Sequence, residues 1–127
     1  MHEKISRPTD YEVVSRMIIE HRTYTLHPGK VAAYIQHYQN EGMAIQLKYL
    51  PCPLGYYTSE LGTLNQVIHI WGYESLDQRM TLRQHLKGDQ NWPNYVSKIL
   101  PLIINQESKI LVPAPFFKPE AVVYRPR

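Results

Sequence analysis

From Met17 to Val112 the chain passes twice through the same succession: an extended apolar segment, a helical one, then another extended one. That doubled order narrows the possible folds more than any bulk property does. Met17 to Leu26 is rich in β-branched and aromatic residues and holds no Gly or Pro, so it reads as a strand, broken by His27-Pro28-Gly29. From Lys30 to about Leu50, Val31, Tyr34, Ile35, Tyr38, Ile45 and Tyr49 recur at three- and four-residue steps, the signature of a helix with one apolar face. Gly42 inside it costs about 1 kcal/mol against Ala, which predicts a kink or a close approach there. Pro51-Cys52-Pro53 ends the helix.

Leu54 to about Leu61 and Asn65 to about Tyr73 read as two strands, joined as a hairpin across Gly62-Thr63-Leu64. Ser75-Leu76-Asp77-Gln78 has the form of a capping box, so a helix runs on to about Lys87 with Met80, Leu82 and Leu86 as its apolar positions. Gly88-Asp89 interrupts it. Trp92, Val96, Ile99, Leu100 and Ile103 resume helical spacing, with Pro93 in the first turn where it is tolerated and Pro101 marking the end. Glu107 to Val112 reads as a fourth strand. Residues 1–16 lack periodicity and read as an N-terminal arm, 17–116 as the folded domain, and 117–127 as an extended tail containing Pro119 and Pro126.

The order β, α, β, β, α, β is the split ferredoxin-like pattern, an α+β fold with a four-stranded antiparallel sheet and helices on one face. The other face needs a cover. Side chains alternate along a strand, so Glu20, Arg22 and Tyr24 share one face of the first strand. In the third strand Val67, His69, Trp71 and Tyr73 share one face and Ile68 and Ile70 the other. Ile68 and Ile70 suit the helix side. Trp71 and Tyr73 then fall on the uncovered side, where large aromatics call for another layer. A second copy related by a two-fold axis supplies one, giving a homodimeric α+β barrel.

Composition removes several function classes. Apolar residues make up 43% and charged residues 20%, which suits a globular domain and not a disordered chain. A formal charge of +3, without a run of five Lys or Arg or a known motif, argues against nucleic-acid binding. No apolar run is long enough to cross a membrane. Glu3, Asp10 and Glu12 within the first sixteen residues argue against a secretory signal or transit peptide. Cys52 is the sole cysteine, which excludes an internal disulfide and a Cys-based zinc site and fits a reducing, cytoplasmic setting. Ten tyrosines against two phenylalanines favour surfaces that are buried yet keep a polar end, as interfaces and polar-lined pockets do.

Four stretches together carry a family resemblance. The run His21-Arg22-Thr23-Tyr24-Thr25-Leu26-His27-Pro28-Gly29-Lys30 is the first. Leu54-Gly55-Tyr56-Tyr57-Thr58-Ser59-Glu60-Leu61-Gly62-Thr63-Leu64-Asn65-Gln66-Val67 is the second. His69-Ile70-Trp71-Gly72-Tyr73-Glu74-Ser75-Leu76 is the third, and Gln106-Glu107-Ser108-Lys109-Ile110-Leu111 with Pro113 and Phe116 the fourth. In order and at natural spacing, over about Ile19 to Phe116, they resemble the NIPSNAP family. The resemblance implies a dimeric α+β barrel and little defined chemistry. The mitochondrial and vesicle-traffic links of eukaryotic members do not carry over to a chain without a mitochondrial leader. His21 stands where many relatives have an aliphatic residue, and Gly72 where a larger residue is common.

The candidate ligand-binding residues are Glu20, Arg22, Tyr24, Tyr57, His69, Trp71 and Tyr73. Arg22 could hold a carboxylate or phosphate bidentately, and His69 could serve as acid or base near neutral pH. The competing reading is a structural Glu20–Arg22 pair beside a satisfied histidine. Trp71, Tyr73, Tyr24 and Tyr57 could line an aromatic pocket or pack at a dimer interface. Asn65 and Gln66 could orient a ligand or serve the hairpin turn, and Glu60 reads as a solvated or interfacial charge. His37 and Glu41 lie four apart on a helix, but a metal site needs a third ligand and none is apparent. Cys52 between prolines reads as a turn residue, not a nucleophile. With no phosphate-cradling Gly loop and no dinucleotide fingerprint, no cofactor is expected. Two functions remain: a homodimeric module for a small-molecule ligand or a partner, and a cofactor-independent monooxygenase or isomerase acting on an aromatic or polyketide-like compound. The second rests on fold analogy.

Overall fold

In a computed structural model of the chain, residues 11–14, 17–119 and 121–124 are described. Most of the expected arm, residues 1–10 and 15–16, lies outside them, as does the end of the tail. The chain order is β1 (Tyr11–Val14), β2 (Ile18–Leu26), α1 (Val31–His37), a π-turn (Tyr38–Gly42), α2 (Met43–Tyr49), β3 (Pro53–Thr58), β4 (Gln66–Tyr73), α3 (Leu76–Lys87), α4 (Trp92–Ile99), a short 3₁₀ turn (Leu100–Leu102), β5 (Ile103–Leu111) and β6 (Ala121–Tyr124).

Four strands form an antiparallel sheet in the order β3-β4-β2-β5. This is the ferredoxin-like arrangement expected of the doubled strand–helix–strand order, with β2 and β4 central. Two short segments outside that core, β1 and β6, form an antiparallel ladder with Tyr11 opposite Tyr124. They occupy stretches expected as arm and tail.

The long first helix forms, but not as one regular helix. A five-residue π-turn at Tyr38–Gly42 separates α1 from α2. Such a turn adds a residue to the helix and rotates the segment downstream of it. Gly42 sits against the Tyr95 ring, so close that a Cβ there would collide with the ring carbons. Of the two roles the sequence allowed this glycine, a kink or a close approach, the contact with Tyr95 shows the second. The capping box also forms: the Gln78 backbone N–H donates to Ser75 Oγ at 3.0 Å, and Gln78 Oε1 accepts from the Glu74 backbone N–H. The β3–β4 connection is longer than the three residues expected. Gly62 and Asn65 take positive φ of 85° and 60° in it, conformations that Gly and Asn tolerate best.

The two faces of the sheet are filled the opposite way from expectation. Val67, His69, Trp71 and Tyr73 lie under the helices, and Trp71 and Tyr73 pack with Leu50 and Leu86. Ile68 and Ile70, expected beneath the helices, lie on the uncovered face and are only partly buried. The physical reason is volume. The space between sheet and helices is filled by long side chains from both layers, here Tyr24, Tyr34, Tyr38 and Tyr95, at crystal-like density. Compact β-branched residues suit a flat outer face. Trp71 is 1% exposed and needs no second copy to bury it. Cross-strand partners place Glu20, Arg22 and Tyr24 opposite Trp71, His69 and Val67, so the polar residues share the helix side. Tyr57, opposite Ile68, is on the other face and 57% exposed.

Candidate functional site

Strand alternation brings Glu20, Arg22 and Tyr24 of β2 into line with His69 and Trp71 of β4, on the side facing α3. The centre of this cluster is the carboxylate of Glu20, which is fully buried. It accepts from Arg22 Nη1 at 3.0 Å, from Arg79 Nε at 3.0 Å and Nη2 at 2.8 Å, and from the Ser108 hydroxyl on β5. Four donors fill the roughly four acceptor positions that a carboxylate offers. Burial pushes the Glu20 carboxyl up, but the Arg79 and Ser108 hydrogen bonds and the two guanidinium charges outweigh it and hold it at about 2. Glu20 is therefore an ionised tie between three elements, and not an acid poised to move a proton.

Arg22 is pinned on its other side. Its Nε and Nη2 both donate to the Tyr24 hydroxyl, at 3.1 and 2.9 Å, and its guanidinium lies 5.4 Å from the Tyr24 ring centroid. The structural Glu20–Arg22 pair anticipated from the sequence is present, and it leaves part of the guanidinium unspent.

The histidine is not satisfied. Trp71 Nε1–H donates to His69 Nδ1 at 2.7 Å, which assigns the proton of the neutral ring to Nε2. That Nε2–H is buried and has no hydrogen-bond partner among the described residues. Tyr56 stacks on the ring at 4.8 Å and Tyr24 meets it edge-on at 4.9 Å. Burial, helped by the charge of Arg22 and opposed by Glu20, lowers the imidazole to about 3. His69 is thus neutral at any physiological pH and presents a donor, contrary to the expected acid or base titrating near neutrality.

Of the seven residues read from the sequence, Glu20, Arg22, Tyr24, His69 and Trp71 converge, and Tyr73 flanks them with Arg83 beside it. Tyr57 does not join, because it points from the far face. Sequence reading missed Arg79, Ser108 and Tyr56. Ser108 was findable: antiparallel register sets it opposite Arg22. Arg79 depends on how α3 crosses the sheet, for which no local signal exists. Gln66 and Asn65 serve the hairpin. Gln66 Nε2 donates to Thr25 Oγ1 at 3.2 Å, and Asn65 O accepts from the Leu26 N–H at 2.8 Å. Glu41 is engaged by Lys98 Nζ at 2.6 Å, not by His37. Cys52 is buried, which raises its thiol above the usual range.

The NIPSNAP family profile matches residues 19–118, most of the chain. The chain belongs to the NIPSNAP family. Among NIPSNAP relatives, a Dictyostelium discoideum protein named "Protein NipSnap homolog" is 31% identical over 111 residues, 87% of this chain and 48% of that one. This NIPSNAP chain therefore spans less than half the length of that relative. A solved NIPSNAP-like domain protein from Burkholderia xenovorans superposes with a TM-score of 0.83 at 38% identity, covering 89% of this chain and 98% of that one. A NIPSNAP family protein of unknown function from Agrobacterium tumefaciens gives 0.78 at 40% identity, covering 81% and 93%. The same fold extends to a "putative antibiotic biosynthesis monooxygenase" from Nitrosomonas europaea, with a TM-score of 0.58 at 7% identity over 81% of this chain and 95% of that one.

Proposed function

We propose that this NIPSNAP chain is a homodimeric small-molecule-binding module whose ligand docks at the polar cluster around Arg22 and His69. The observation that carries the reading is the His69 Nε2–H. Leaving a buried donor unpaired costs about 1–3 kcal/mol, and such groups in native structures are few. The neighbours of this one are a cross-strand arginine with unspent donors and a ring of aromatic side chains. The cluster comes nearest to solvent on the β5 side, where Ser108 and Ile110 are exposed and Arg22 and Arg79 keep some contact with solvent.

The alternative, a cofactor-independent monooxygenase or isomerase, calls for a group that takes a proton at neutral pH. Glu20 is saturated and held ionised by its partners, and His69 is held as a donor. Neither serves as a general base, so the binding reading is preferred.

The test is a thermal-shift and native mass-spectrometry screen against wild type, Arg22→Ala and His69→Phe. A ligand present at about 100 times its Kd stabilises the native state by about 2.7 kcal/mol. Compounds that raise the melting temperature of wild type should lose that effect in both variants while their circular dichroism stays native. If every stabilising compound acts equally on all three proteins, the assignment to this cluster fails.

A further inference from the structure

Resting on the binding reading above, we propose that the ligand taken at Arg22 and His69 is a small organic carboxylate. The groups the cluster leaves free point to that class. The Glu20 acceptors are occupied by four donors. Tyr24 OH already accepts twice from Arg22, and His69 Nδ1 is taken by Trp71. The unspent groups are mostly donors: His69 Nε2–H, two of the five guanidinium N–H of Arg22, three being used, and the flanking Tyr73 hydroxyl, which can donate or accept. An incoming ammonium would find the Tyr73 hydroxyl oxygen as its one unspent side-chain acceptor among these groups and two guanidinium charges beside it. An oxygen that only accepts would find donors on adjacent strands, since Arg22 and His69 face each other across the β2–β4 ladder.

Charge selects within that class. Arg22 and Arg79 outnumber the single carboxylate of Glu20, and His69 is neutral. Arg83, beside Tyr73, adds positive potential felt at the imidazole. The excess of positive charge, in a site sheltered enough to weaken screening, favours an anion. A carboxylate has the planar two-oxygen geometry that a guanidinium recognises. The aromatic residues around His69, namely Tyr24, Tyr56 and Trp71, suit a ligand whose remaining body is apolar.

The probes are acetate, butyrate, benzoate and phenylacetate, each set against its matching primary amide. Binding is followed by calorimetry and by the ¹⁵N-imidazole NMR signals of the full chain. Each acid that binds should bind about tenfold or more tightly than its amide, equivalent to about 1.4 kcal/mol, and weaken as salt rises. The Nε2–H resonance of His69 should move on addition of the acid. Arg22→Gln should lose the preference for the acid, while Arg22→Lys, keeping the charge without the fork, should retain part of it. The wild-type NMR result decides the matter if neither variant folds. Amides binding as well as acids would overturn the carboxylate class while leaving the site intact. Acids that bind without moving the His69 signal would overturn the site itself. If no acid of the set binds at up to tens of millimolar, or a crystal grown with benzoate shows only an ordered water on Nε2, the carboxylate proposal fails.

Discussion

At the scale of single residues, His69 sets a pH signature. An ordinary histidine in the unfolded chain protonates near 6.5, whereas folded His69 does so only at about 3. Between those values the unfolded chain holds more protons, so stability is complete above about pH 6.5 and drains away as pH falls toward 3. The ceiling on this contribution is about 5 kcal/mol. Glu20 extends the loss at lower pH: its folded value of about 2 lies below the ordinary 4.5, so its contribution is present above 4.5 and fades toward 2. Urea unfolding at pH 7.5, 6.5, 5.5 and 4.5 should show the midpoint nearly level between the first two and dropping from 6.5 to 4.5, and His69→Gln should flatten that slope. A wild-type midpoint constant across this range would refute the buried neutral imidazole. The sequence did not reveal that His69 is neutral, because that follows from its burial beneath the helices and from the Arg22 charge, while the bond from Trp71 Nε1–H to Nδ1 fixes which nitrogen carries the proton. What the sequence did carry was membership. Strand alternation alone put Glu20, Arg22 and Tyr24 on one face and His69 and Trp71 on another, and register joined the two.

At the scale of elements, the helical stretch after the first strand is the instructive case. Its periodicity was plain from Val31 to Tyr49, but the interruption at Tyr38–Gly42 was legible only as a glycine. The π-turn lets Tyr38 donate to Gln46 Oε1 at 2.7 Å while Gly42 admits the Tyr95 ring. Gly42→Ala should therefore destabilise the fold by about 1–3 kcal/mol, the usual cost of overpacking, even though alanine is the better helix former by about 1 kcal/mol. Thermal melts of Gly42→Ala, Tyr95→Leu and the double variant would check this. The double variant should be less destabilised than the sum of the two, since shortening residue 95 removes the clash. Strict additivity would mean the two residues do not meet. The error over sheet faces belongs at this scale too. Charged Glu20 and Arg22 look like surface residues in one dimension, and it is their mutual bond, with those from Arg79 and Ser108 to Glu20 and from Arg22 to Tyr24, that makes their burial tolerable.

At the scale of the whole molecule, the reversal of the sheet faces relocates the surface for a twin without removing it. Ile19, Ile68 and Ile70, with Tyr57 beside them, lie on a face that no helix covers. A second sheet laid on that face would bury them in the isologous manner of a two-fold dimer. Sedimentation at micromolar concentration should give twice the 14.9 kDa chain mass. Ile70→Glu should shift it toward the single mass with far-ultraviolet dichroism unchanged, and a wild-type protein sedimenting as one chain would end the dimer reading. Since the polar cluster lies on the opposite face, loss of the dimer should leave ligand affinity intact. Ser108 also bears on how the chain is made. It bonds Glu20 across 88 positions of chain, from a strand that pairs with β2 at the sheet's edge. A nascent chain emerging from the ribosome has Glu20, Arg22 and His69 in hand long before β5 arrives. Until β5 has been made, one side of β2 is open and the buried carboxylate is short of a donor, so a chain cut before Ser108 should lack the tie that closes this cluster.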